Sequence, residues 1–189
     1  MSEPSVWQTK QSQTVFQNRW IRVEIDDVLL PNGNPYEYTR VNINGVGVGV
    51  IGFNSTGNQI LLEREYRHGV GEVVWQCPGG LAQPGEDLQV TALRELREET
   101  GYAPTVISPE NVRYLGKIWD SPPLGHSCNH IFAVWGLELT RQIDPDEAEF
   151  VTCHWRSVAW LKEAIRSGEV ADRFVVSAVS YLLLNNLID

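Results

Sequence analysis

A chain of 189 residues can hold one domain with a substantial core, and 42% hydrophobic with 21% charged residues is the balance of a soluble globular protein. A net charge of −9 without any basic tract excludes nucleic acid as an expected partner, and no apolar run approaches the ~20 residues that span a membrane. The three cysteines, Cys77, Cys128 and Cys153, have no metal-ligand spacing; their odd number, with no signal peptide, predicts a reducing, cytoplasmic setting.

Residues 1–14 are polar and read as a loosely held start. From Phe16 to Leu30 the pattern turns strand-like, with Trp20, Arg22, Glu24 and Asp26 alternating roughly in register with Ile21, Val23, Ile25 and Val28. Pro31-Asn32-Gly33-Asn34 reads as a turn, and Tyr36 to Ile43 as the returning strand of a β-hairpin. This N-terminal hairpin segment, residues 1–44, precedes a main domain at 45–189. An amphipathic hairpin needs something to cover it, an extra layer or a subunit contact.

Val46 to Phe53 is apolar and glycine-interrupted, a buried strand, and Gln59 to Arg67 is another after the turn Asn54–Asn58. Val73 to Cys77 continues the sheet toward Pro78-Gly79-Gly80. Further strands are read at Val112–Trp119, Ile131–Leu139 and Val151–Trp155. Helices are read at Val158–Ser167, ended by Gly168, and at Asp172–Leu187, with Phe174, Ala178, Tyr181 and Leu182 on one face. Strands and helices are mixed without regular βαβ alternation, which predicts an α+β fold or an α-β-α sandwich.

The stretch Gly79 to Tyr102 organises the rest. After the glycine pair and a polar loop with Pro84 and Gly85, a helix is read from about Asp87 to Thr100, with Asp87 as N-cap or first-turn acid and Gly101 at the C′ position. Val90, Leu93 and Leu96, with Ala92 beside them, form its expected apolar face. Glu95, Glu98 and Glu99, at i, i+3 and i+4, share one turn and are expected to point largely away from that face. Most such charge clusters are solvated, salt-bridged helix faces, here softened by Arg94 and Arg97. The sharper reading is a site for hard divalent cations, since Mg²⁺ takes carboxylates plus substrate phosphates.

Spacing favours the sharper reading. Gly80, Glu86, Arg94, Glu95, Glu98, Glu99 and Gly101 supply all seven fixed identities of a pattern that resembles the Nudix box, G-x5-E-x7-R-E-U-x-E-E-x-G-U, where U is a bulky aliphatic residue. Leu96 fills the first U, and Tyr102 stands at the last. The resemblance covers roughly residues 45–187 and implies a Nudix-type α-β-α sandwich with a mixed sheet. It also implies hydrolysis of a nucleoside diphosphate linked to another moiety, with Mg²⁺ or Mn²⁺ and more than one ion per site. Glu95 and Glu99, with Glu98 close behind, are then the metal ligands, joined by the Gly79 backbone carbonyl. Arg94 is expected to pair with Glu86 or Glu98 and fix the loop on the helix. Glu98, Glu99 and Arg94 are counted as catalytic.

Outside the box, the chain is similar to ADP-ribose pyrophosphatases. Glu65-Tyr66-Arg67 resembles their Q-Y-R segment, Trp75–Gly80 their W-E-L-P-A-G, and Asp120-Ser121-Pro122-Pro123 their S-P-G element. Asp146–Val151 resembles their acidic segment, and Gly168–Asp172 their G-x-I-x-D junction. The resemblance implies substrate contacts at Arg67, Gly80 and Pro122, cleavage of ADP-ribose to AMP and ribose 5-phosphate, and a homodimer. Gln76 departs from the pattern, standing where these enzymes often carry a glutamate, and no glutamate follows the S-P-P element. A water-activating base is therefore sought in Asp144–Glu149, where similarity to the family's acidic segment favours Glu149 over Glu147. His126 and His130 could chelate at i, i+4 only on a helix, and Gly125 argues for a loop. Competing readings keep the chemistry with a GDP-sugar or dinucleotide, or keep the fold as a non-catalytic nucleotide-sensing module.

Overall fold

The computed structural model describes residues 5–140 and 150–189. The chain divides into two compact units, one of residues up to Val46 with Trp119–Cys128, the other of Gly47–Ile118 with Asn129 onward.

The first unit is a three-stranded antiparallel sheet in the order β1 (Gln8–Gln17), β2 (Ile21–Leu29), β3 (Pro35–Ile43). The β2–β3 hairpin closes through Leu30 N to Asn34 O (2.9 Å) and Gly33 N to Leu30 O (2.8 Å), with Gly33 at φ 85°. β1 corrects the expectation of a loose start. It is an edge strand exposed at every residue, so its side chains bury nothing and leave no alternating pattern to read. The strand read from Phe16 is really two, because Asn18 Oδ1 accepts from Trp20 N and Ile21 N (both 2.8 Å) and turns the chain between them. The 119–128 loop lies on β3. Val41 N donates to Leu124 O (2.8 Å), Ile43 N to Ser127 Oγ (2.8 Å) and His126 N to Asn42 Oδ1 (3.0 Å).

The second unit is built on β4 (Gly47–Phe53), β5 (Gln59–Arg67), β6 (Glu72–Gln76), β7 (Tyr102–Pro104), β8 (Val112–Trp119), β9 (Cys128–Val134), β10 (Leu137–Leu139) and β11 (Thr152–Ser157). Its helices are α1 (Leu88–Thr100), α2 (Val158–Ser167) and α3 (Arg173–Leu184). The main sheet runs β11-β5-β4-β9-β8, with β6 also paired to β5. β4 and β9 are parallel and β4–β5, β5–β6 and β5–β11 antiparallel, so the sheet is mixed.

Each face of this sheet carries its own core. Ile51, Phe53, Ile60, Leu62 and Ile131 pack with Leu161 and Ala164 of α2 and Val175, Ala178 and Leu182 of α3. On the opposite face Val48, Val50, Leu61, Phe132 and Val134 pack with Ala92 and Leu96 of α1. Each fully buried Leu, Ile or Val contributes about 1.5–3 kcal/mol, so the helices are held mainly by burial. The result is the α+β, α-β-α sandwich expected from the sequence.

Helix bounds follow local chemistry. Asp87, Ser157 and Asp172 cap the three helices with side-chain oxygens, and Gly101 and Gly168 end two of them in the left-handed conformation. The strand read over Ile131–Leu139 is split. Gly136 at φ 73° turns the chain, and β10 leaves the main sheet to pair with β7. No helix among the described residues is long and apolar enough to cross a membrane.

Candidate active site

The site begins where β6 hands over to the glycine loop. Val50 N donates to Pro78 O and Val48 N to Gly80 O, each at 2.9 Å, so the loop runs along β4 as a short ladder. Gly79, between them, is left out of that ladder, and its N–H goes to Glu99 Oε2 at 2.6 Å. A Cβ on Gly79 would strike the Val48 carbonyl oxygen, and one on Gly80 would lie 2.6 Å from the Glu95 carboxylate. The glycine pair is therefore required by space: backbone on one side, helix carboxylate on the other.

α1 presents its acids differently from the sequence reading. Leu88, Ala92 and Leu96, four apart, face the sheet, and Val90 is 55% exposed. At ~100° per residue this stripe brings Glu95 and Glu99 round toward the loop, and Glu99 is 7% exposed. The expectation that the three glutamates point away from the apolar face is corrected for Glu99. It is buried because the Gly79 amide offers a charge-assisted hydrogen bond there.

One guanidinium ties the cluster together. Arg94 Nε and Nη2 form a fork on Glu86 at 2.9 and 3.0 Å; Nη1 reaches Glu95 Oε1 at 2.8 Å and Glu98 Oε2 at 3.0 Å; and Nη2 also donates to Leu81 O at 3.3 Å. The pairing with Glu86 or Glu98 read from the sequence is thus a pairing with both, and with Glu95. Glu86 also accepts from Gln83 N (3.0 Å) and Thr91 Oγ1 (2.9 Å). The Arg94 guanidinium and then the Gln83 N–H hold the Glu86 carboxyl down at about 2. Arg94 itself is pushed further up by Glu86, Glu98 and Glu95.

The other sequence candidates are distributed. Arg67 ends β5 and donates from Nε to Gln76 Oε1 of β6 at 2.8 Å. Pro122 belongs to the first unit, in the loop held on β3. Glu147 and Glu149 lie outside the described residues, as do Asp144 and Asp146. His126 sits in the Pro122 loop, while His130 is on β9 with its Nδ1 3.0 Å from Tyr114 Oη. The helical chelate the i, i+4 spacing could have made does not form.

Sequence reasoning missed a polar island behind the loop. Glu63 is fully buried and Glu65 8% exposed, both on the α1 side of β5, and Gln76 stands opposite Glu63. Cys153 reports how near these acids lie. Its thiol is pushed up to about 12 by burial and by the Glu63 and Glu99 carboxylates. Two glutamates two residues apart, just after the apolar run Ile60–Leu62 and so on the face that Leu61 buries, were the available signal.

Among the described residues no three His, Cys, Asp or Glu side chains already converge on a common ion position. The donor set nevertheless fits hard cations. Glu95, Glu98 and Glu99 offer carboxylate oxygens from one turn, and the missing side chain at Gly80 lets the Glu95 carboxylate come up against the loop. Among the described residues, four carboxylates gather on one guanidinium and one amide, so acidic groups outnumber the basic one.

Residues 43–175 match the NUDIX domain family, and residues 7–41 match the nucleoside diphosphate sugar hydrolase N-terminal domain. The chain is 32% identical to the methanol dehydrogenase activator of Bacillus methanolicus, over 93% of this chain and 92% of that protein. It is 28% identical to the ADP-ribose pyrophosphatase of Bacillus subtilis, over 91% of this chain and 90% of that one. Its fold is similar to the crystal structure of an ADP compounds hydrolase, with a TM-score of 0.82 and 23% identity over 96% of this chain and 95% of the other.

Proposed function

From the premise that the chain belongs to the NUDIX domain family, we propose that it hydrolyses the diphosphate bond of a nucleoside diphosphate sugar, ADP-ribose first, to AMP and ribose 5-phosphate. The observation that carries this is the cluster of carboxylates on α1, packed against a glycine loop whose bare backbone lets them come close. Water adds to one phosphorus, the bridging P–O bond breaks, and two phosphomonoesters leave.

In this reading Glu95, Glu98 and Glu99 hold the metal, with the Gly79 carbonyl, which stands off the β4 ladder, as a further ligand. Divalent ions, Mg²⁺ or Mn²⁺ and more than one per site, offset the charge of the diphosphate and lower the pKa of the attacking water. Arg94 keeps the Glu86 loop and the α1 acids in register. Arg67 supplies a fork to the phosphates. Gly80 and Pro122 complete the proposed substrate contacts. The base is assigned to Glu149, with Glu147 as its neighbour in the same segment. Glu149→Gln is expected to leave substrate affinity near normal and lower kcat by ~10²–10⁴. The same loss in Glu147→Gln instead would move the base by two residues.

Assembly is read as a homodimer with residues 15–45 in the contact. Phe16, Trp20, Tyr36 and Ile43 of the first unit are exposed, and large apolar side chains there favour a covering partner. Light scattering at micromolar concentration tests it, and a monomer mass would count against it. All three cysteines are free, which supports the cytoplasmic assignment.

Turnover of a panel of ADP-ribose, GDP-sugars and dinucleotides with Mg²⁺ tests the function itself. Preference for another member keeps the chemistry and changes the leaving group, a reading favoured by Gln76 departing from the ADP-ribose pyrophosphatase pattern. No turnover of any member would point to a nucleotide-sensing module.

A further inference from the structure

We propose that Glu65 and Gln76 are positioning residues that aim Arg67 at the diphosphate, so that phosphate affinity at this site is set from behind by a buried amide–carboxylate pair. The inference rests on the reading of Arg67 as a phosphate contact.

Three side chains close a ring. Arg67 Nε donates to Gln76 Oε1 at 2.8 Å, Gln76 Nε2 donates to Glu65 Oε2 at 2.7 Å, and Arg67 Nη2 meets the same Glu65 oxygen at 3.1 Å. Gln76 Nε2 also reaches Glu63 Oε2 at 3.3 Å. Its carbonyl end therefore faces the guanidinium and its amino end faces two acids, and no flipped orientation satisfies all of them. Strand register makes the ring possible. Glu63 pairs with Gln76 across β5 and β6, and Glu65 and Arg67 follow on the same face of β5 at two-residue intervals.

Burial separates the holder from the held. Gln76 is 6% exposed and Glu65 8%, whereas the Arg67 side chain is 49% exposed. The inner edge of the guanidinium is fixed by the ring, while Nη1 makes no hydrogen bond among the described residues. A free arginine of this length must be ordered when it meets an anion; one already held loses less freedom, and that difference appears as affinity. Measured against the Q-Y-R and W-E-L-P-A-G patterns, the acid and the amide have changed strands, with the carboxylate at 65 and the amide at 76.

Isosteric replacement tests this. Binding of magnesium pyrophosphate to the full chain, by calorimetry, is compared for wild type, Glu65→Gln, Arg67→Ala and the double variant, with a thermal melt of each. Removing the carboxylate on Arg67 is expected to weaken pyrophosphate binding roughly tenfold, about 1.4 kcal/mol, and to weaken it no further once Arg67 is alanine. With ADP-ribose, KM is expected to rise more than kcat falls. Gln76→Met, which removes the acceptor on Arg67 Nε, should repeat the pattern if Glu65→Gln does not fold. Losses that add in the double variant, an unchanged affinity with only a lowered melt, or no pyrophosphate binding by wild type would each overturn the proposal. If wild type binds pyrophosphate with this cycle intact but leaves ADP-ribose uncleaved, the substrate assignment fails and the positioning role stands.

Discussion

Arg40 in the first unit and Arg94 in the second each gather several carboxylates, and the two networks differ in their charge count. In the first unit Arg40 meets Asp26 (2.5 and 3.0 Å) and Glu24 (3.5 Å), and Arg22 adds a second contact to Glu24 (3.4 Å). Two guanidiniums there face two carboxylates, and Ser12 and Asn42 supply further hydrogen bonds to them. In the second unit, among the described residues, one guanidinium, Arg94, faces Glu86, Glu95 and Glu98, and a backbone amide holds Glu99. A closed network neutralises itself and needs nothing more. The open one keeps like charges within a single helical turn, an arrangement that destabilises a helix unless a cation joins it. Ion pairs are present in both places, so the surplus of charge, rather than the number of bridges, marks the site.

The largest effect should come from reducing that surplus. Glu99→Gln removes charge without volume, and its amide oxygen can still accept from Gly79 N. Turnover with Mg²⁺ is expected to fall roughly 100-fold or more, with an unchanged circular dichroism spectrum. Wild-type kcat in this variant would remove Glu99 from the site.

The closed network should instead respond in stability. Asp26 is 4% exposed and is held below the usual carboxylate range chiefly by its hydrogen bond from Arg40. Arg40→Met leaves that charge buried and short of its main partner, at a cost of about 3 kcal/mol. Urea unfolding reads this. A midpoint equal to wild type would mean that the balanced network contributes no more than a surface pair.

Acid titration then compares the two networks within one molecule. Glu86 has a folded value of about 2 against an ordinary 4.5, a depressed carboxylate. Its contribution is fully present above about 4.5 and is lost as pH falls from there toward about 2. Asp26 is lowered in the same sense, so wild type loses both contributions in acid. Glu86→Gln should therefore show a smaller drop in urea midpoint between about pH 6 and pH 3 than wild type, while keeping the Asp26 share. Equal drops would show that the Arg94 fork does not stabilise Glu86 in the folded chain.

How much of this was legible depends on whether a residue's role is local. Asp87, Gly101, Ser157 and Gly168 act through their own backbone neighbourhood, and the bounds of α1 and α2 could be read from them. The box residues were legible because one loop and one helix hold them at fixed separations. β1 was not, since an edge strand exposed on both faces carries no burial pattern. Neither was the ring of Glu65, Arg67 and Gln76, because strand register sets it and periodicity says nothing about register. The exposure of Val90 on α1 escapes the pattern for a related reason. Of the face read through Val90, Leu93 and Leu96 with Ala92, the last three pack on the sheet, joined by Leu88, and Val90 does not; only packing on the sheet sets that edge of the face.

That edge of the face supports the smallest prediction. If the Leu88–Ala92–Leu96 stripe faces the sheet, Val90 stands in solvent at 55% exposure and contributes no core contact. Val90→Ala then removes two exposed methyl groups and exchanges a β-branched residue for a better helix former. Stability should change by no more than ~0.5 kcal/mol, with either sign allowed by those two terms. Leu96→Ala, at a fully buried position, should cost about 2–5 kcal/mol in the same urea assay. The rotation matters for the site, because the same turn of the helix that exposes Val90 brings Glu99 under the Gly79 amide. A loss above ~1 kcal/mol at Val90 would mean that the helix is turned so that Val90 is buried. The acids would then point outward as a solvated face, and the charge surplus that separates the second network from the first would have no loop to act on.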